Sequence, residues 1–159
     1  VFAPFMFDPE SAAACVEAGT GAEVHLKLCG KTSAQTGGPI EIDAKVVWAG
    51  DKTITVTGPL YTGAEFKLGP TAVLDLGDGV MVSIISVQWS AIDRDPFDAF
   101  GLKPEDFDII LLRSKTHFRH VYTPMCEDIL IVDTPDWGPA DLTSLPYEYA
   151  NRASFPCVD

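Results

Sequence analysis

Between Arg113 and His120 the stretch RSKTHFRH places five potentially cationic side chains, Arg113, Lys115, His117, Arg119 and His120, within eight residues. The rest of the chain is acidic, with a formal net charge of -12 and a pI near 4.4. Such a cluster offers two chemistries. The Arg and Lys cations, with the Ser114 hydroxyl, suit a carboxylate or a developing oxyanion. The two imidazoles, three residues apart on a helix, suit a metal. Two ligands fall short of a zinc centre, which takes three or four, and neighbouring Arg and Lys oppose a divalent cation. The anion reading is therefore the sharper one, set against a plainer alternative in which the cations decorate a solvated helix and balance nearby acids.

Other candidates are weaker. Asp93, Asp95 and Asp98 in DRDPFD, and Glu105, Asp106 and Asp108 in KPEDFD, could pair carboxylates for acid/base work. Neither run has the D-x-D-x-D-G spacing of a calcium loop, and both flank a predicted short helix where acids serve as caps. LGDGV and TGGP match no phosphate-binding glycine motif and read as turns. No Ser sits in G-x-S-x-G, and no Cys has a His placed beside it in sequence, so nucleophilic catalysis gains no support. His25 stands alone on a predicted strand and reads as a structural or surface residue. No catalytic residue and no metal ligand is assigned to the chain.

The elements that must hold RSKTHFRH in place can be read from periodicity. FDPESAAACVEAGTG is a helix with its own punctuation: Asp8 caps, Pro9 occupies the first turn, and Gly19 or Gly21 ends it. AEVHLKLCG then alternates as a half-buried strand. IEIDAKVVWAG alternates too, with Gly50-Asp51 as a turn leading to KTITVTGP. TAVLDL and VMVSIISV follow, joined at Asp75–Gly79. These strands make a β-meander over the first two-thirds.

Beyond it, DRDPFDAF carries helix signals, DIILLR and DILIVD are short apolar strands, and SKTHFRHVY between them is a helix that Ser114 would cap and whose Phe118 would face the core. That alternation predicts two β-α-β crossovers with parallel pairing. An anion bound at the helix start would sit where open sheets hold ligands. From Thr134 the chain is Pro and aromatic rich, an irregular tail. The expected fold is α+β with a mixed sheet, spanning 1–159 as a single domain.

At 159 residues the chain buries roughly two-thirds of the surface it would expose unfolded. A hydrophobic content of 47% with 10% aromatics is that of a globular protein. The charge disfavours nucleic acid and anionic membrane surfaces as partners. No apolar run approaches the ~18 residues of a spanning helix. Cys15, Cys29, Cys126 and Cys157 contain no C-x-x-C pair and read as buried free thiols, with the cytoplasm as the default compartment. The chain opens in the middle of an apolar phrase without an initiator Met, which suggests a piece of something longer.

Four stretches in order, MFDPESAAACVEAGTGAEVHLKLCGKT, GGPIEIDAKVV, GPLYTGAEFKLGPTAVLDLGDGVMVSIIS and FGLKPEDFDIILLRSKTHFRHVYTPMCEDILIVDTP, resemble the C-terminal domain of the MlrC (microcystinase C) family over Phe7 to Pro135. The family pattern K-S-x-x-H-F-R falls on Arg113 through Arg119: Ser114, His117, Phe118 and Arg119 match, and Arg113 replaces the Lys. His120 stands where the family usually has a small residue. At the pattern S-x-R-x-Q-x-x-D the chain has Ser86, Gln88, Ser90 and Asp93, and at T-P-G it has Thr134, Pro135 and Asp136.

The resemblance implies a two-domain parent, a zinc-dependent peptidase whose zinc and metal ligands belong to an N-terminal domain absent here. This domain, lacking a cofactor and inactive alone, would then line the substrate cleft through Arg113, Ser114, His117 and Arg119. Its implied partners are that N-terminal metal-binding domain, a peptide-like substrate and, as a further expectation, other copies in a homo-oligomer. The rival expectation is a non-catalytic structural or assembly module.

Overall fold

The structure, a computed structural model, describes residues 1–114, 116–132, 134, 141–151 and 153. Strand β1 (Phe2–Phe7) leads into helix α1 (Pro9–Ala18) and then β2 (Glu23–Leu28), β3 (Ile40–Thr55), β4 (Glu65–Asp75) and β5 (Met81–Ile85). These strands form one five-stranded sheet in the order β1-β5-β4-β3-β2. The pairs from β2 to β5 are antiparallel, the expected meander, and β1 lies parallel to β5 on its open edge. Mixed pairing and few helices make the fold α+β.

Helix α1 begins as its residues dictate. The Asp8 side chain accepts from the Ser11 N–H, Pro9 takes the first turn, where its missing N–H costs nothing, and Gly19 ends the helix with its N–H on the Cys15 carbonyl. Its Ala12 and Cys15 pack on Val46, Leu74, Val82 and Ile84, one face of the sheet. Alternation along β5 sends Ile85 the other way, to Phe5, Ile54 and Leu68. A third apolar cluster, Phe2, Phe97, Phe118 and Tyr122, holds the last third of the chain against the start of β1.

The structure differs from these expectations at several points. Gly50-Asp51 is no turn: β3 runs straight through, Gly50 opposite Thr71 and Asp51 opposite Pro70. The β-branched run Thr53-Ile54-Thr55 simply continues the strand, and the chain reverses later, where the Val56 N–H donates to the Ala64 carbonyl and the Gly63 N–H to that of Val56. The opening phrase VFAPFMF is a strand in its own right. Pro4, which cannot donate, sits at the register shift between Ala3 and Met6, and Ser83 Oγ accepts the neighbouring Phe5 N–H at 2.8 Å.

The two β-α-β crossovers are replaced by a looser arrangement. DIILLR makes one isolated parallel bridge, Ile110 to Phe2, with the Phe2 N–H on the Ile109 carbonyl and the Leu111 N–H on that of Phe2, each at 2.9 Å. Leu130, Ile131 and Val132 of DILIVD are exposed and in no strand. Helix signals near Pro96 give only α2 (Asp95–Asp98), and SKTHFRHVY gives only α3 (Arg119–Tyr122). An apolar run records a tendency to be covered, which need not be met by a ladder: of DIILLR only Ile110 bridges the outer edge of β1. Of the tail, Leu142–Ser144 forms a 3-10 turn capped by Asp141, while 135–140 and 154–159 lie outside the described residues.

Among the described residues no helix is long and apolar enough to cross a membrane. Cys15 is buried and Cys29 half-buried, both thiols pushed up to about 11 by burial and then by the Asp8 charge. Cys126 is exposed, not buried as expected, because α3 ends before it and leaves it in an open turn. Cys157 lies outside the described residues.

Candidate functional site

The segment after DIILLR is held by its aromatic residues. Phe118 and Tyr122, four apart, are both buried against Phe2 and Phe97, and the Tyr122 hydroxyl donates to the backbone carbonyl of Asp93 at 2.8 Å. With those two positions turned inward, His117 and His120 come to line a cleft of about 240 Å³. Its other walls come from the turn between β3 and β4, Pro59 and Leu60, and from the loop before α2, Ile92 and Asp93.

The turn is fixed to that loop from below. The Thr57 N–H donates to Asp95 Oδ1 at 3.3 Å. Gly58 passes so close to Asp93 that a Cβ there would fall on the Asp93 carboxylate, so only glycine lets the two segments meet. Asp93 is 3% exposed, and its Oδ2 has no hydrogen-bond partner among the described residues. Burial pushes its carboxyl above the usual range, opposed by the nearby His120. Asp95 is buried too, with its own Oδ2 unpartnered. Burial raises it, the Thr57 bond opposes this, and the charges of Asp93 and Asp98 add to the rise. Asp98 and Glu105 behave as ordinary surface acids, each reaching Arg94 at 4.0 and 3.3 Å.

The residues expected to form an anion site are spread out. Ser114 is half-buried and does not cap: α3 starts at Arg119, with Phe118 at the cap position and no side-chain cap bond. A helix of four residues offers little dipole, so the anion site at its start is lost as an argument. Arg113 is exposed, its charge felt by the Cys29 thiol. Arg119 is exposed, with its guanidinium 5.4 Å from the centre of the Phe118 ring. Lys115 lies outside the described residues. His117 alone of the expected set lines the cleft, and His120, set aside on sequence, lines it too. Phe118 faces the core as expected. His25 is an exposed strand residue pairing with Asp43 at 2.9 Å. On sequence Asp93 is one of several candidate cap acids; the signal that could mark it is its buried neighbour Ile92, since an acid beside a core apolar residue is prone to burial.

A second charged cluster is complete in itself. Asp8, buried at the α1 start, accepts from the Ser11 N–H at 3.1 Å, the Cys29 N–H at 2.7 Å and Lys31 Nζ at 3.0 Å. Burial pushes its carboxyl up, but these hydrogen bonds outweigh burial and hold it below its ordinary value. Lys31 also reaches Ser11 Oγ at 2.9 Å and Glu10 at 3.3 Å. This cluster ties α1 to the end of β2.

Among the described residues no group of three or more His, Cys, Asp or Glu is placed to hold a metal ion, so these residues do not fit a zinc centre. The family model described as the MlrC C-terminus matches residues 1–149. A crystal structure from Mesorhizobium sp. BNC1, named as a "putative metallopeptidase", is similar with a TM-score of 0.74 and 25% identity, covering 84% of this chain. The chain spans about a quarter of that protein, 26% of its length. No curated protein matches the chain.

Proposed function

Since the chain belongs to the MlrC C-terminal family, we propose that it is the substrate-cleft domain of a zinc-dependent hydrolase of peptide or amide bonds, with the metal held by the rest of the parent. The observation that carries this reading is the exposed cationic run at Arg113, His117, Arg119 and His120 in a chain of net charge -12, with both imidazoles at a cleft. An anionic group of the substrate, a carboxylate or an oxyanion, is what such a run attracts. Arg119 is its principal cation, with Arg113, Ser114 and His117 in support. The free thiols at Cys15, Cys29 and Cys126 suit a cytoplasmic setting.

Arg119 is exposed, so truncating it should spare the fold. In the full-length protein, Arg119→Ala is expected to lower hydrolysis roughly tenfold or more with zinc content unchanged, as loss of a charged hydrogen bond to substrate predicts. If both activity and zinc survive the change, the cationic-wall reading fails.

A second reading, a structural or assembly module, is favoured by a different observation: Ile109, Leu111, Leu130, Ile131 and Val132 are all large, apolar and exposed. Such residues suit the surface of a partner domain or of another copy of the chain. On that reading Arg119→Ala weakens domain association or oligomer formation and leaves substrate affinity per folded molecule intact.

A further inference from the structure

Three consecutive large apolar side chains, Leu130, Ile131 and Val132, are 87%, 65% and 76% exposed. Neighbours along a strand point to opposite faces, so covering all three takes material on both sides. Runs that are apolar at every position are the mark of strands buried on both faces, whereas a strand with one wet face alternates. Here residues 130–132 lie in no strand, and among the described residues no backbone group bonds theirs. DIILLR is half in the same condition. Its bridge to β1 uses the Ile109 carbonyl and the Leu111 N–H. In parallel geometry this turns the N–H and C=O of Ile110 to the outer side, where no backbone group among the described residues meets them. The two runs belong to one patch: Ile110 and Leu112 of the first and Ile129 of the second pack on the cluster of Phe2, Phe97, Phe118 and Tyr122.

We propose that residues 129–132 enter a sheet of the rest of the parent protein as a strand covered on both faces, beside the edge that Ile110 leaves open. Strand docking presupposes the assembly reading, that these residues are a partner surface, and adds the partner and the mode of contact. Amount and geometry both favour this occupant. The chain spans 26% of the similar Mesorhizobium protein, so most of that protein lies outside the shared region, enough to cover two faces. A second copy of the chain, paired run to run, would satisfy the backbone edges and leave both rows of side chains in water.

The test is hydrogen exchange on the full-length protein. The amides of 130–132 should exchange roughly a hundredfold or more slower than those of the exposed Leu60 and Tyr61. Leu130→Thr and Ile131→Thr, at successive positions, each keep a residue that suits a strand and remove apolar bulk from one face. Each should lower the melting temperature of the full-length protein by about 2 °C or more. Slow exchange retained at β5 verifies that both variants fold. Exchange at 130–132 as fast as at Leu60 and Tyr61, with neither variant lowering the melt, overturns the docking and the assembly reading together. Slow exchange with one costly variant or none leaves the assembly reading and removes the strand covered on both faces. Costly variants without slow exchange do the same, since they mean side-chain contact without strand pairing. Slow exchange that is lost on dilution from dimer to monomer overturns the proposal in favour of a second copy.

Discussion

Asp8 and Asp93 are almost equally buried, 2% and 3% exposed, yet they sit in opposite circumstances. Asp8 receives two backbone N–H groups and a lysine, and its carboxyl is held below its ordinary value. Asp93 has an oxygen with no partner among the described residues, and its carboxyl is pushed above that value. Burial alone therefore does not separate a structural acid from a candidate binding acid. The supply of donors does: Asp8 lies at a helix start, where backbone N–H groups are free, whereas Asp93 precedes a four-residue helix and faces a glycine turn and a cleft.

The comparison breaks first at Asp8. Asp8→Ala removes the α1 cap, strands the Cys29 N–H and leaves Lys31 short of its buried partner, and should cost about 3–4 kcal/mol, read as a lower urea midpoint. A loss no larger than that of an exposed acid would mean that the network contributes nothing beyond a surface ion pair.

Gly58→Ala comes next. The new methyl must displace the Asp93 carboxylate or part the turn from the loop. The expected cost is about 1–3 kcal/mol by thermal unfolding, together with altered shifts at His117 and His120. Unchanged stability and unchanged imidazole signals would show that the two segments are not held together.

Smallest, and opposite in sign, is Asp93→Asn, which removes a buried charge while keeping the backbone carbonyl that Tyr122 uses. A stabilisation of about 1–2 kcal/mol is expected near neutral pH. Its pH dependence sharpens the contrast. Asp93 has a folded pKa above its ordinary 3.8, so its penalty is complete above the folded pKa and is relieved as pH falls toward 3.8. The gain from Asp93→Asn should therefore shrink in acid. Asp8 has a folded pKa below 3.8, so its contribution is complete above that value and is lost as pH falls through the folded pKa. Urea midpoints of the parent and both Asp variants between about pH 3 and 7 read the two trends directly. A gain from Asp93→Asn that grows in acid would reverse the assignment.

Local chemistry made some of this visible in the sequence. The Asp8 cap, Pro9, and the Gly19 stop of α1 act within a few residues of one another, and the alternation of β2 to β5 is a period that any reader of the chain can count. For the same reason Phe118 was legible as a core residue and the meander as a meander. Failures came where the partner is distant. Gly50-Asp51 permits a turn but does not require one, and only the register of β3 on β4 carries the strand through it. DIILLR and DILIVD have the composition of strands, but composition does not supply a partner: Ile110 alone of DIILLR bridges β1, and residues 130–132 lie in no strand.

The candidate site divides along the same line. By itself the sequence determined that the chain is acidic, that its cations gather at RSKTHFRH, and that its motifs are those of the MlrC C-terminal family. Charge and residue order are properties of the chain whatever its conformation. That His120 joins His117 at a cleft, that Ser114 does not cap α3, and that Asp93 Oδ2 has no donor among the described residues while Asp8 has three were decided only by tertiary structure. Each depends on which segments far apart in the chain are brought within hydrogen-bond reach, and no local pattern encodes that distance.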